Sequence, residues 1–117
     1  MDPLEAYDRY VQAWNEPGNA AAILEGVWAE TGVYANDEVP NGLVGLPALV
    51  ALMKSNHADM PGFRVWSTTV PRMLAGRLAV KWEGSGGQPP IRSSGTDVIE
   101  FDRDGRIARV TDVFDTE

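Results

Sequence analysis

The sequence contains no cysteine and only one histidine, His57. Without cysteine, the chain has no disulfide, no thiolate nucleophile and no sulfur ligand for zinc. A single histidine also excludes a metal site built from several histidines. We therefore expect neither a metal nor another cofactor.

Basic residues are scarce. Ten Lys and Arg stand against 17 Asp and Glu, which gives a formal net charge of −7. Binding to nucleic acid needs clustered Lys and Arg, because contacts to phosphate dominate the affinity. The composition therefore argues against a nucleic-acid partner, but it does not exclude a cationic partner.

Long apolar runs are missing as well. No stretch approaches the ~20 apolar residues that a membrane-crossing helix needs. The first ten residues, MDPLEAYDRY, begin polar and acidic instead of with a basic stretch and an apolar run. Because a secretory signal has that second pattern, we expect a soluble cytoplasmic protein with no membrane partner.

What is present is ordinary globular composition. Of 117 residues, 44% are hydrophobic and 23% are charged, and no repeat or linker divides the chain. A chain of this size and composition is typical of one compact domain. We therefore predict a single domain over residues 1–117.

The first half of the chain shows helical spacing. Asp2, Pro3 and Glu5 are typical of a helix start, and one apolar face follows at Tyr7, Tyr10, Val11 and Trp14. A second helix is predicted after the cap Asn19. It ends at Gly32, before a short strand over residues 33–36, and its apolar stripe is Ile23, Leu24, Val27 and Trp28.

A third helix is predicted to open at Pro47, with an apolar side made of Leu46, Leu49, Val50 and Met53. His57 lies near its end, where a cation interacts favourably with the helix C-terminus. We therefore interpret His57 as a structural residue.

From residue 63 onward the apolar residues recur with a period of two, which is typical of strands. The pattern predicts strands over residues 63–70, 73–82, 93–101 and 107–114, with a loop over residues 84–90 and a hairpin turn at Asp102–Gly105. The predicted order is αα-β-α-ββββ, an α+β fold. Three helices on the concave face of a curved sheet leave an open end that forms a small-molecule pocket. Since the other sheet face needs cover, we also expect a homodimer.

Four strings carry a resemblance to a known superfamily. They are RYVQAWN (9–15), VWAETGVYAN (27–36), NGLVGLPALVALM (41–53) and GTDVIEFDRDGRIARVTDVFD (95–115). In this order and spacing the chain resembles the nuclear transport factor 2-like superfamily, and within it the SnoaL-like polyketide cyclases and ketosteroid isomerases. The resemblance covers nearly the whole chain. It implies a cone-shaped barrel in which three N-terminal helices pack on a curved, mixed or antiparallel sheet.

Two polar residues match the isomerases' oxyanion site. Tyr10 follows the shared Arg-Tyr-Val string at the position of their oxyanion tyrosine, although a core tyrosine is the other interpretation. Asp97 matches their second donor, a carboxylic acid whose apolar site raises its pKa and keeps it neutral. Asp97 also shares strand parity with Ile99 and Phe101, where a carboxyl group is costly unless hydrogen-bonded, protonated or functional. A strand aspartate bonded to local backbone or facing solvent remains the alternative.

Asn36 departs from the isomerase pattern, because it stands where their base is an aspartate and an amide takes no proton at neutral pH. Asp37 would replace it only with a one-residue slip in register. Asp112 is the alternative base. It shares a strand face with Val110 and Phe114, and SnoaL-like cyclases carry a catalytic aspartate on this strand with an asparagine nearby. A solvated aspartate at the rim is the other interpretation.

Small epoxide hydrolases of the same superfamily also show a Tyr-x-Asn string, here Tyr34-Ala35-Asn36, and an aspartate on the last strand. Their remaining Arg and Asp point inward from an earlier strand, where this chain offers Leu78 and Val80. Because the water-activating set is incomplete, the sequence disfavours this reaction.

Taken together, the sequence predicts cofactor-independent acid/base chemistry beside a carbonyl group of a small hydrophobic, cyclic or polyketide-like molecule: cyclisation, isomerisation or dehydration. Asp112 would move the proton, Asn36 and Tyr10 would orient or stabilise the oxyanion, and Asp97 would assist as a donor. The expected pocket wall is Trp14, Tyr34, Met53, Trp66, Val80, Trp82 and Phe114. The competing hypothesis is a non-catalytic ligand-binding or dimerisation module of the same fold.

Overall fold

The structure is a computed structural model that describes residues 1–115; residues 116 and 117 of the predicted domain lie outside this range. The helices are α1 (Pro3–Asn15), α2 (Ala20–Leu24) and α3 (Leu46–Asp59), with a 3₁₀ turn at Pro17–Asn19. The strands are β1 (Trp28–Asn36), β2 (Leu43–Val44), β3 (Arg64–Ser67), β4 (Arg72–Leu74), β5 (Arg77–Gly86), β6 (Ile91–Phe101) and β7 (Ile107–Phe114).

The strands form one curved, unclosed sheet in the order β2-β1-β7-β6-β5-β3, with β4 also paired to β5. β1 and β7 run parallel, and the other pairs are antiparallel. The three helices pack on one face of this sheet, and the buried core lies between the two layers. The predicted α+β fold class is therefore confirmed. No helix within residues 1–115 is long and apolar enough to cross a membrane.

The start of α1 agrees with the sequence pattern. The Asp2 side chain accepts a hydrogen bond from the Leu4 amide at 3.4 Å, and Pro3 occupies the first helical turn. A proline is tolerated there because the amide it lacks has no partner within the helix. The predicted apolar face packs inward through Tyr7 and Tyr10, so α1 lies against the inner face of the sheet.

The predicted second helix is too long. α2 ends at Leu24, and Gly26 adopts a φ of +76°, which turns the chain out of the helix. Trp28 belongs to β1, and Gly32 lies inside that strand, where a Cβ would collide with the Trp28 indole. Of the predicted apolar stripe, Ile23 and Leu24 lie in α2, whereas Val27 and Trp28 are buried in the turn and in β1.

The predicted strand pattern of residues 63–90 needs three corrections. The first strand covers only Arg64–Ser67. The second divides into β4 and β5 at a tight turn, where Ala75 and Gly76 have φ of +53° and +76°. β5 then continues through Gly86, into the predicted loop. A Cβ at Gly84 would lie 2.9 Å from Phe63 Cζ, so this glycine serves close packing and does not mark a turn.

Two side chains connect the helices with each other and with the sheet. The Asn15 amide pairs with Val65 in both directions, donating to its carbonyl at 3.0 Å and accepting from its N–H at 2.7 Å. His57 Nε2 donates to the Trp14 carbonyl at 2.6 Å. These bonds fix the C-terminal ends of α1 and α3 beside β3.

Candidate active site

The site is built on one row of residues across four strands. Asn36 on β1 pairs with Asp112 on β7, Asp112 pairs with Asp97 on β6, and Asp97 pairs with Val80 on β5. Opposed residues in neighbouring strands present their side chains to the same face of a sheet. The register therefore places both aspartates side by side on the inner face.

Asp112 accepts hydrogen bonds from two buried aromatic residues. Tyr34 Oη donates to its Oδ2 at 2.8 Å, and Trp82 Nε1 donates to its Oδ1 at 2.8 Å. Only 7% of Asp112 is exposed. Burial raises its pKa, while the hydrogen bonds from Tyr34 and Trp82 oppose that rise by stabilising the carboxylate. Asp112 is thus a desolvated carboxylate held in a fixed orientation.

Gly95 makes the Trp82 contact possible. It lies directly opposite Trp82, and a Cβ at this position would be 2.9 Å from Trp82 Cζ2 and 2.6 Å from the Val113 carbonyl oxygen. Since glycine leaves this space free, the indole lies across β6 and reaches Asp112 on β7.

Asp97 is 5% exposed, and its Oδ1 has no hydrogen-bond partner within residues 1–115. Burial raises its pKa well above the ordinary value, and the neighbouring charge of Asp112 raises it further. Asp112 directs its two oxygens to the Tyr34 and Trp82 donors, so Asp97 is the carboxyl group of the pair with less support for a negative charge.

A cavity of about 410 Å³ opens in front of this pair, a size within the range of roughly 300–1,000 Å³ that is common for small-molecule sites. All four residues predicted as catalytic line it, namely Tyr10, Asn36, Asp97 and Asp112. So do four of the seven residues predicted for the pocket wall, namely Trp14, Tyr34, Trp82 and Phe114.

The other three predicted wall residues do not line the cavity. Met53 is fully buried in the core, because α3 turns Leu52 and Asn56 towards the cavity instead. Val80 is 2% exposed and is packed in the core beside Asp97. Trp66 is 43% exposed on β3, since the strand alternation directs Val65 inward.

Tyr10 and Asn36 both have neighbours that fix their orientation. The Tyr10 ring stacks on Trp28 with a centroid distance of 6.1 Å and an interplanar angle of 12°. Asn36 Oδ1 accepts from the Glu38 and Val39 amides at 2.8 and 3.0 Å, and Asn36 Nδ2 donates to Tyr34 Oη at 3.1 Å. Asn36 therefore closes the turn after β1 and orients Tyr34 towards Asp112.

Two further polar residues of the lining are not predicted by the sequence pattern. Tyr7 Oη and Asn56 Nδ2 are buried without a hydrogen-bond partner within the described residues. The apolar stripe of α1 contains Tyr7, but stripe membership does not distinguish a core tyrosine from a lining one. Asn56 follows Leu52 by one helical turn on α3, a relation that becomes informative only when the cavity-facing side of α3 is known.

Comparison with known proteins places this geometry in a family. The family model of the SnoaL-like domain matches residues 7–110. No curated protein matches the sequence. Among solved structures, a SnoaL-like family protein from Agrobacterium tumefaciens, to which isomerase activity is ascribed, superposes with a TM-score of 0.84 at 23% identity over 97% of both chains.

Two further structures share the fold. An LEH-like epoxide hydrolase of M. tuberculosis gives a TM-score of 0.74 at 17% identity, over 97% of this chain and 82% of that one. A ketosteroid isomerase-like protein from Catenulispora acidiphila, in complex with trimethylamine, gives 0.75 at 13% identity over 92% and 83%. At these identities the likeness concerns the fold alone. With a family model covering most of its length, the chain belongs to the SnoaL-like domain family.

Proposed function

We propose that this protein is a cofactor-independent acid/base enzyme that acts beside a carbonyl group of a small hydrophobic molecule. The observation that carries the proposal is the adjacent pair of buried carboxyl groups, Asp97 and Asp112, at the wall of a cavity that seven aromatic residues also line. Two carboxyl groups that share one proton supply a donor and an acceptor together. That combination is what proton transfer at a carbon next to a carbonyl requires.

The two aspartates take different roles. Asp112, as the carboxylate, removes a proton from the carbon beside the carbonyl group, and the electrons of that C–H bond form an enolate. Asp97, whose pKa is raised by burial, acts in its protonated form and donates a hydrogen bond to the enolate oxygen. Return of the proton from Asp112 to another carbon completes an isomerisation. In a ring closure, the enolate carbon attacks a second carbonyl carbon, and the alkoxide that forms takes the proton from Asp112.

Asn36 supports this assignment of the base to Asp112. An amide does not accept a proton at neutral pH, and both ends of the Asn36 amide are already engaged with the β1 turn and Tyr34. Epoxide hydrolysis receives less support, because Leu78 and Val80 present buried hydrocarbon where the resemblance requires an Arg and an Asp.

Deuterium exchange tests the proposal. The protein is incubated in D₂O with a panel of small cyclic ketones, such as cyclohexenone and 2-tetralone, and deuterium uptake is followed by mass spectrometry. We expect exchange above the buffer rate for at least one ketone, and a loss of roughly 10²-fold or more of that excess in Asp112→Asn.

Asp59→Asn is the matched control, because Asp59 is an exposed carboxyl group at the end of α3, away from the cavity lining. This variant should exchange like the wild type. Exchange at the buffer rate for every ketone, or an Asp112→Asn protein as active as the wild type, contradicts the proposal. Quenching of tryptophan fluorescence by the same ketones without any exchange would support the ligand-binding module instead.

A further inference from the structure

Seven of the 21 residues that line the cavity are aromatic, and two pairs of their rings meet at steep angles. Tyr10 and Trp14 lie at 81° with centroids 6.4 Å apart, and Trp82 and Phe114 lie at 82° with centroids 6.1 Å apart. Rings that meet nearly at right angles form adjacent walls of a box, whereas stacked rings would fill the space between them.

The two sets of walls meet at the Asp112 carboxylate. Trp14 contacts Tyr34 at a centroid distance of 5.8 Å, and Tyr34 donates to Asp112. On the other side Trp82, which contacts Phe114, donates to the second oxygen of the same carboxylate. Both donors lie at the edges of their rings, so the Asp112 carboxyl group is held between the polar edges of Tyr34 and Trp82.

The charged residues that line the cavity are mostly acidic. Four of them are acidic, namely Glu38, Asp97, Asp112 and Asp115, and Arg92 is the one basic side chain among the described lining residues. Arg92 is exposed at the cavity mouth, so no described basic side chain reaches the interior to neutralise Asp112. The unpartnered Oδ1 of Asp97 adds a polar atom that a ligand can satisfy.

From this arrangement we infer that the cavity binds a small organic cation, with a protonated amine or quaternary ammonium group paired with Asp112 and lying against the half-buried ring of Trp14. Aromatic faces attract such cations, and the attraction grows when water is excluded. The inference goes beyond the proposed carbonyl chemistry and does not depend on it. Both ligand classes occupy the same cavity and therefore compete.

A pair of isosteric ligands isolates the effect of charge. Choline carries a trimethylammonium group, and 3,3-dimethylbutan-1-ol replaces its nitrogen with carbon at nearly the same shape. Isothermal titration of the wild-type protein should show choline binding at least tenfold more tightly. Equal affinities, tighter binding of the neutral alcohol, or no measurable choline binding would overturn the inference.

Variants then locate the binding. Asp112→Asn and Trp14→Leu, checked for folding by circular dichroism, should each reduce the preference for choline at least threefold, whereas Asp59→Asn should keep it. A preference unchanged in both cavity variants would mean that the overall charge of −7 attracts choline, and would overturn the inference. Ketone exchange is scored separately, so failure of the carbonyl chemistry leaves this result standing, and the reverse also holds.

Discussion

The buried carboxyl group of Asp97 makes the stability of the fold depend on pH. Its pKa lies above the ordinary value of 3.8 because it is buried beside Asp112. A carboxyl group with a raised pKa in the folded state favours folding below its unfolded pKa, and this contribution is lost as the pH rises through the folded pKa. Around neutral pH, Asp97 therefore opposes folding.

The variant Asp97→Asn tests this argument, because its amide has nearly the same shape as the carboxyl group but does not titrate. We expect the variant to be the more stable protein at pH 7, by on the order of 1 kcal/mol, and the difference to shrink to zero below about pH 3.8. Thermal denaturation across pH measures it. Asp112, Tyr7 and Tyr34 surround the position in both proteins, so an equal difference at all pH values would contradict the assignment.

The hydroxyl groups of two buried tyrosines should differ sharply in their contribution to stability. Tyr34 Oη donates to Asp112 and accepts from Asn36, whereas Tyr7 Oη has no partner within residues 1–115. Removing one member of a buried hydrogen-bond network costs about 1–3 kcal/mol, but removing an unsatisfied group costs nothing. Urea denaturation should therefore show Tyr34→Phe destabilised by this amount and Tyr7→Phe at least as stable as the wild type. Similar losses in both would contradict the hydrogen-bond assignment.

At the scale of a strand, Gly95 controls the geometry of the site. A methyl group at this position meets both the Trp82 indole and the Val113 carbonyl, so Gly95→Ala must move one of them. Overpacking of this kind costs roughly 1–3 kcal/mol. We expect that loss in urea denaturation, with a change in tryptophan emission as the indole leaves Asp112. Gly18→Ala is the control, because a Cβ at Gly18 would meet no atom within 4 Å, and it should leave both readouts unchanged.

Glycine also explains where element prediction from the sequence failed. The sequence pattern predicts a helix end at Gly32 and a loop at Gly84. Both residues lie inside strands, because an aromatic ring occupies the space that a Cβ would fill. The partner of Gly84 is Phe63, which is distant in sequence, so the need for glycine there depends on the fold. Turn glycines with local causes, such as Gly105 with a φ of +81°, were predicted correctly.

The candidate site was accessible from the sequence only in part. Period-two spacing placed Asp97 and Asp112 on inward strand faces, and the structure agrees. Spacing within a strand does not fix the register between strands, so the direct opposition of these two aspartates could not be derived. Helical spacing likewise does not show which side of a helix faces the cavity. Packing places Asn56 of α3 at the cavity and Met53 in the core.

For the whole molecule, the outward face of the sheet remains to be covered. Small and apolar side chains form a row across its centre, where Ala79, Val98 and Thr111 pair on neighbouring strands. Around this row stand charges of both signs, namely Arg77, Lys81, Glu83, Glu100 and Arg109. A two-fold axis brings the same patch of two copies together, so the apolar row of one copy covers that of the other. We therefore propose that a second copy of this chain covers the face.

Sedimentation velocity tests the proposed dimer. The wild type should sediment as a dimer at micromolar concentration, and Val98→Arg should sediment as a monomer, because it places a charge without a partner in the middle of the apolar row. Arg103→Glu, in the exposed turn between β6 and β7, changes charge outside this face and should leave the dimer intact. Because Val98 points away from the cavity, ketone exchange should persist in the monomeric variant. A wild type that sediments as a monomer would contradict the dimer. A Val98→Arg protein that remains dimeric would contradict this face as the contact between copies.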